Sequence, residues 1–170
     1  MLNILCALAY KLNRRDFFCI IAGGGDALED LKKQSNALNL DEFVMFMGYI
    51  PHEEVAKYIS AADLCVAPEK PNPFNHYSTI IKVMEYMALG KPVVAFDLIE
   101  HRYSAHDAVL YAENGDELDF ARKIALLMDD PAQREAMGRL GRARVEETLA
   151  WRHQARALIE AYGKITDPAS

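Results

Sequence analysis

The sequence predicts an α/β domain, a doubly wound parallel sheet with helices on both faces. Short apolar runs alternate with helical stretches along the chain, the pattern of βαβ units. The runs end on turn signals such as Gly23-Gly24-Gly25, Gly48 and Pro68. Of the 170 residues 51% are hydrophobic, enough for one well-packed core.

Residues 2–13 read as a helix; the stretch lacks the basic n-region and cleavage site of a signal peptide. Phe17 to Ala22 reads as a strand closed by the glycine run, and Ala27 to Leu38 as a helix that Asp26 is placed to cap. Val44 to Met47 is a strand, His52 to Ser60 a helix, and Leu64 to Ala67 a strand ended by Pro68. Residues 69–77 (EKPNPFNHY) read as a loop rich in Pro and Asn. Ser78 and Thr79 then open a helix that runs to Leu89, where Gly90 and Pro92 stop it. Val93 to Phe96 is a strand, Asp97 to Asp107 a polar loop, and Val109 to Tyr111 a short strand. From about Asp116 the chain is helical, with breaks near Asp129-Asp130-Pro131 and Thr148 to Trp151. Trp151 and Tyr162 are expected to anchor the last helix on the body of the domain. One domain over residues 1–165 with a frayed tail at 166–170 is expected. A doubly wound unit normally opens on a strand and this chain opens on a helix, so either a first strand is absent or the sheet starts late.

The helix opening at Ser78 carries the strongest functional signal. At about 100° per residue Ser78, Lys82 and Glu85 share one stripe, and Ile80, Ile81, Val83, Met84, Met87 and Ala88 fill the rest. A helix so apolar is expected to be buried, where a lysine and a carboxylate need partners or a ligand. Its amino end offers amides and a positive dipole end to phosphate. From Ser78 to Glu85 the rise is about 10 Å, the scale of a nucleotide diphosphate. Ser78 and Thr79 are therefore candidate phosphate contacts and Glu85 a candidate ribose contact. A Lys82–Glu85 pair solvated in a cleft is the plainer alternative.

Ligands of such sheets bind at the carboxyl ends of the strands. The glycine run, the Gly48 turn, the 68–77 loop and Ser78 all fall there. Gly23, Gly24 and Gly25 allow close approach to a ligand, and equally form a tight turn; they match neither the dinucleotide fingerprint nor a P-loop. Backbone near Tyr49 and Ile50 could edge-bind a base, with an ordinary turn as the default. Glu100, His101 and Arg102 also lie at a strand end, where some of them could line the same cleft; solvated loop is the first reading. The histidines lack metal-ligand spacing and no acidic cluster joins them, so no metal site is expected. No serine sits in a nucleophile elbow. The net charge of −6 argues against a nucleic-acid or anionic-membrane surface. No apolar run approaches the ~20 residues of a membrane span. Cys6, Cys19 and Cys65, scattered in apolar segments, read as core residues of a reducing cytoplasm.

Taken together, IIAGGGD, VMFMGYIPHEEVAKYISAADLCVAP, VMEYMALGKPVVAFD, LLMDDPAQREAMGRLGRARV and the late W-R-H-Q-A…Y resemble the donor-binding, carboxy-terminal domain of family 4 glycosyltransferases, one half of the GT-B fold. The matching stretches cover almost all of residues 16–165, in the family's order. The resemblance implies a Rossmann-like sheet with extra C-terminal helices, and transfer of a sugar from a nucleotide diphosphate sugar to a glycan or lipid-linked acceptor. It implies retention at the anomeric carbon and neither cofactor nor metal. In the family a helix carries two glutamates; the second, paired with the ribose, falls on Glu85, and the first falls on position 77, here Tyr77. The resemblance further implies Ser78, Thr79, Ile80 and Lys82 near phosphate, the glycine loop bordering sugar or phosphates, and Tyr49 and Ile50 at the base. The variant NHYSTIIKVMEYM resembles a subgroup of surface-polysaccharide or lipopolysaccharide assembly. The implied partners are the nucleotide sugar and an amino-terminal acceptor domain, with room for peripheral membrane association of a longer parent chain. This chain alone is expected to be inactive, lacking that domain and a basic strand ahead of residue 1. Two rivals stay open here: a nucleotide-sugar epimerase of the same architecture, and a non-catalytic nucleotide-binding or scaffold domain, which Tyr77 favours.

Overall fold

The computed structural model describes residues 1–166, so the expected tail beyond Thr166 lies outside the described residues. Five parallel strands are present among them, in two sheets rather than one. Strand β1 (Cys19–Ala22) pairs with β2 (Val44–Gly48) from Cys19↔Val44 to Ala22↔Gly48. Strands β3 (Cys65–Ala67), β4 (Val93–Phe96) and β5 (Val109–Ala112) form the second sheet in the order β3-β4-β5, with Cys65↔Val93↔Val109 in register. Every residue of β4 is buried, as befits a central strand.

The opening helix α1 (Leu2–Cys6, continued by a π-helical turn Ala7–Lys11) holds the two sheets together. Ile4 and Leu8 pack with Val94, Phe96 and Phe120 of one core cluster, while Leu2, Leu5 and Ala9 join Leu40, Phe43 and Val44 in another. Its apolar residues thus serve two clusters, which is why the run reads as hydrophobic nearly all round. Helices α2 (Leu28–Ala37) and α3 (His52–Ala61) follow β1 and β2. Two Asp caps read cleanly: Asp116 accepts from Leu118 and Asp119 N–H and starts α7 (Glu117–Asp129), and Asp130 caps α8 (Pro131–Arg144) with Pro131 in its first turn. After a π-helical turn (Val145–Leu149) and Ala150, α9 (Trp151–Thr166) ends the described chain.

Several expectations are corrected. The 69–77 loop contains a short helix, α4 (Pro73–Tyr77), because Asn72-Pro73 is a strong start: the Asn72 side chain accepts from Asn75 N–H and Pro fills the first turn. That consumes the chain up to Ser78, whose hydroxyl donates to the Phe74 carbonyl, so Ser78 and Thr79 do not open the next helix; α5 runs Ile81–Ala88 behind Ile80. Nor is α5 buried all round: Val83 and Met87 are, while Ile81 is 67% exposed. The polar 97–107 segment forms helix α6 (Ile99–Ala105) and a 3₁₀ turn rather than a solvated loop. Ala27, not Asp26, precedes α2, with no side-chain cap. Trp151 and Tyr162 are exposed and do not anchor α9 by burial. The three thiols are free, and burial pushes Cys19 to about 11 and Cys65 to about 12.

Candidate functional site

The free edges of β1 and β3 flank a groove of about 700 Å³, walled by α1 and by residues of α3 and α5. Phe18, Ile20 and Ala22 line one side, Leu64, Cys65 and Val66 the other. At its polar end Gly23, Tyr49, Ile50, Lys82 and Glu85 come together, five of the residues singled out from sequence. The remaining five do not line it. Gly24 packs near Tyr49, a Cβ there falling 3.7 Å from the Tyr49 nitrogen, and Gly25 opens the turn into α2. Gly23 and Gly25 hold φ of 145° and 146°, a region that glycine alone adopts freely, so this turn needs its glycines. The Gly23 N–H donates to the Gly48 carbonyl at 2.8 Å, which ties the glycine turn to the Tyr49 turn.

Ser78, Thr79 and Ile80 lie between α4 and α5. The Ser78 hydroxyl is spent on Phe74, and Thr79 Oγ1 donates to Glu100 Oε1 at 3.0 Å, so neither hydroxyl is poised for phosphate in this arrangement. Ile80 brings no capping side chain to the first turn of α5. Tyr77 is 76% exposed and outside the groove.

Lys82 pairs not with Glu85, as the plainer reading had it, but with Glu69 Oε1 across the start of the 69–72 segment. Glu69 Oε2 in turn lies 3.8 Å from His101 Nε2. Glu69 was not singled out from the sequence, and His101 only as one of three residues of a polar loop at a strand's carboxyl end; its burial was not foreseen. Tyr86 lines the groove as well, and burial raises its phenol above the ordinary range. Beyond Glu69 and His101, Arg102 makes a two-pronged pair with Asp97 at 2.6 and 2.7 Å and holds that carboxyl below its usual value.

A second hollow of about 650 Å³ involves Asn3, Lys11, Asn114 and Asp116. It sits at the start of α7, whose first amides are already taken by Asp116, so no anion site is left open there.

The glycine turn, Glu85 and Lys82 gather at the carboxyl ends of parallel strands, where ligands of such α/β folds bind, and the fold is that of one half of a GT-B glycosyltransferase. The model of the family described as glycosyl transferases group 1 matches residues 2–144, and the chain belongs to that family. Alpha-D-kanosaminyltransferase of Streptomyces kanamyceticus is 30% identical over 133 residues, 76% of this chain and 33% of that protein. The chain spans 33% to 40% of the length of the curated relatives it matches first. Among solved structures, sucrose-phosphate synthase from Thermosynechococcus elongatus superposes with a TM-score of 0.81 at 26% identity, over 95% of this chain and 42% of that one. HepE of Anabaena, solved in complex with UDP, shares the fold at a TM-score of 0.72 and 18% identity, over 95% and 44% of the chains. No helix among the described residues is long and apolar enough to cross a membrane.

Proposed function

We propose that the chain is the donor-binding half of a retaining glycosyltransferase that moves a sugar from a nucleotide diphosphate sugar to a glycan or lipid-linked acceptor. The observation that carries the reading is the groove in which Gly23, Tyr49, Ile50, Lys82 and Glu85 meet at the carboxyl ends of the strands. Glu85 holds the ribose hydroxyls, Lys82 and the backbone around Ser78, Thr79 and Ile80 face the diphosphate, and the Gly23–Gly25 turn borders sugar or phosphate. The base lies by Tyr49 and Ile50. A cation and helix amides aimed at the departing diphosphate stabilise the charge that develops there, the task a metal performs elsewhere.

The relatives' length supports one further part, and the unpaired β1 and β3 edges support another. An acceptor domain supplies the acceptor site and most groups that touch the reacting atoms. A further strand seated between the β1 and β3 edges would join the two sheets and fill the apolar length of the groove, leaving its polar end for the donor. The kanosaminyltransferase and the UDP-bound HepE support glycosyl transfer and nucleotide binding by name. Tyr77, exposed and outside the groove where a glutamate is usual, favours one second reading, a nucleotide-binding domain without transfer activity; turnover by a longer parent chain would exclude it.

Calorimetric titration with UDP, GDP and ADP tests the proposal. One of them binds, and Glu85→Ala weakens that binding by about 1–3 kcal/mol, the scale of a charged hydrogen bond. An affinity unchanged in Glu85→Ala removes Glu85 from the ribose.

A further inference from the structure

Among the described residues the buried side-chain polar atoms without a hydrogen-bond partner are Ser35 Oγ, Glu69 Oε2 and His101 Nε2. The last two face each other at 3.8 Å. Orphaned polar atoms are costly, and two aimed at one another need a shared explanation.

The ring chemistry supplies one. His101 is 1% exposed, and its Nδ1 lies 2.9 Å from the Phe96 carbonyl oxygen. A carbonyl only accepts, so Nδ1 carries the hydrogen. In the neutral ring Nε2 is then a bare acceptor opposite a carboxylate oxygen, also an acceptor. One proton on Nε2 converts the mismatch into a charge-assisted donor–acceptor pair. Meanwhile the other oxygen of Glu69 holds the Lys82 ammonium. The carboxylate thus stands between an ammonium half-exposed at the groove and an imidazole buried behind it: the Lys82 side chain is 40% exposed and Glu69 17%.

We propose that Glu69 is a partner-exchanging positioning residue for Lys82, with His101 as its second partner. The inference rests on the donor-site reading. An arriving diphosphate draws the ammonium off Glu69; the carboxylate, largely shielded from water, then takes an N–H from His101, whose Nε2 has accepted one proton from solvent. The trio moves from neutral to a charge of +1 and offsets part of the ligand's negative charge. Without the exchange, losing Lys82 would leave Glu69 a shielded carboxylate with no cation.

The surrounding charges leave this path open. Asp97, at the end of β4, interacts with His101 but is held by Arg102 of α6. The Tyr111 hydroxyl of β5 donates to the His101 and His106 carbonyls. Arg144 of α8 donates to the Tyr103 and Ser104 carbonyls. Glu100 is occupied by Thr79 and Ser104.

The test is calorimetric titration of inorganic pyrophosphate into the 170-residue chain at about pH 8, in buffers of differing ionisation enthalpy, where an ordinary imidazole is neutral. Wild type, Glu69→Gln, His101→Gln and Lys82→Ala are compared, with melting curves to check folding. Glu69→Gln, on a connecting segment, keeps the fold. The wild type takes up about one proton more per pyrophosphate than Glu69→Gln or His101→Gln. Glu69→Gln binds about threefold to fivefold tighter, since Lys82 no longer leaves a half-exposed ion pair, and Lys82→Ala loses the binding. A residue that merely propped the loop would weaken binding when changed and leave proton uptake alone. Equal uptake in wild type and Glu69→Gln, or no binding of pyrophosphate to wild type, overturns the proposal. The donor reading fails on a different measurement, a nucleotide affinity that Glu85→Ala leaves unchanged.

Discussion

Gly138 lies on α8 where that helix crosses the carboxyl end of α5, the helix that presents Lys82 and Glu85. A Cβ built on Gly138 falls 2.1 Å from the Gly90 carbonyl oxygen and 2.9 Å from its carbon. Both obstacles are backbone, and Gly90 itself holds a φ of 67° that turns the chain into β4, so it yields little. Relief requires the helices to separate by about 1 Å, a gap that forfeits a quarter to a half of each contact's dispersion well. Gly141, one turn on, lies so close to Met87 that its built Cβ falls 3.0 Å from Met87 Cγ, and the same shift loosens that contact. Overpacking against an unyielding neighbour costs about 3 kcal/mol or more. Replacing glycine by alanine in a helix returns about 1 kcal/mol. Gly138→Ala therefore destabilises by about 2 kcal/mol, a fall in Tm of about 4–8 °C for a domain of this size. The assay is urea and thermal unfolding beside wild type, with Gly163→Ala as control: that glycine is also helical, but among the described residues its Cβ meets nothing within 4 Å, so alanine there is neutral to stabilising. A midpoint in Gly138→Ala equal to or above wild type would refute the packing argument.

Asp97→Asn lowers stability near neutrality by up to about 1 kcal/mol, a figure limited by the 40% exposure of the Asp97 side chain. The sign follows from Arg102, which holds the folded carboxyl below its ordinary value: the contribution is present above the unfolded-state value and is lost as pH falls through the folded one. Wild type and mutant unfolding curves accordingly converge in acid; a constant gap at all pH values would point to packing instead. Lys91→Met removes an ammonium that donates to the Ser60 and Ala62 carbonyls at 2.7 and 2.8 Å, where α3 ends beside the groove. Chemical denaturation should show a loss of about 1–3 kcal/mol, and no loss would mean that water replaces the lysine fully.

Much of this fold was legible because its signals are local. Gly23 and Gly48, Pro68, Asp116 and Asp130-Pro131 mark boundaries through backbone chemistry that needs no tertiary context, and the elements beside them fall within a few residues of expectation. The failures came where neighbours decide. Asn72-Pro73 outcompetes Ser78-Thr79 as a helix start because it comes first and leaves no chain for the later one. The 99–105 segment is too polar to suggest a packed helix, yet the Phe96 carbonyl takes the His101 ring and α6 closes over it. Helix α5 reads as buried because periodicity cannot tell a core from an apolar groove. For the candidate site, Glu85, Lys82 and the turn residues Gly23, Tyr49 and Ile50 are readable from local sequence and share one groove. Glu69 was not, since only the fold brings it to Lys82 and His101.

The proposed function comes down to a location: a nucleoside diphosphate held at the polar end of the β1–β3 groove. The most direct test is amide chemical-shift mapping of the ¹⁵N-labelled chain titrated with UDP, GDP and ADP. One nucleotide is expected to shift the amides of Gly23 to Gly25, Tyr49, Ile50 and Ile80 to Glu85 together, with saturation lost in Glu85→Ala. Shifts gathered instead around Asn3, Lys11 and Asn114 to Glu117 would contradict it.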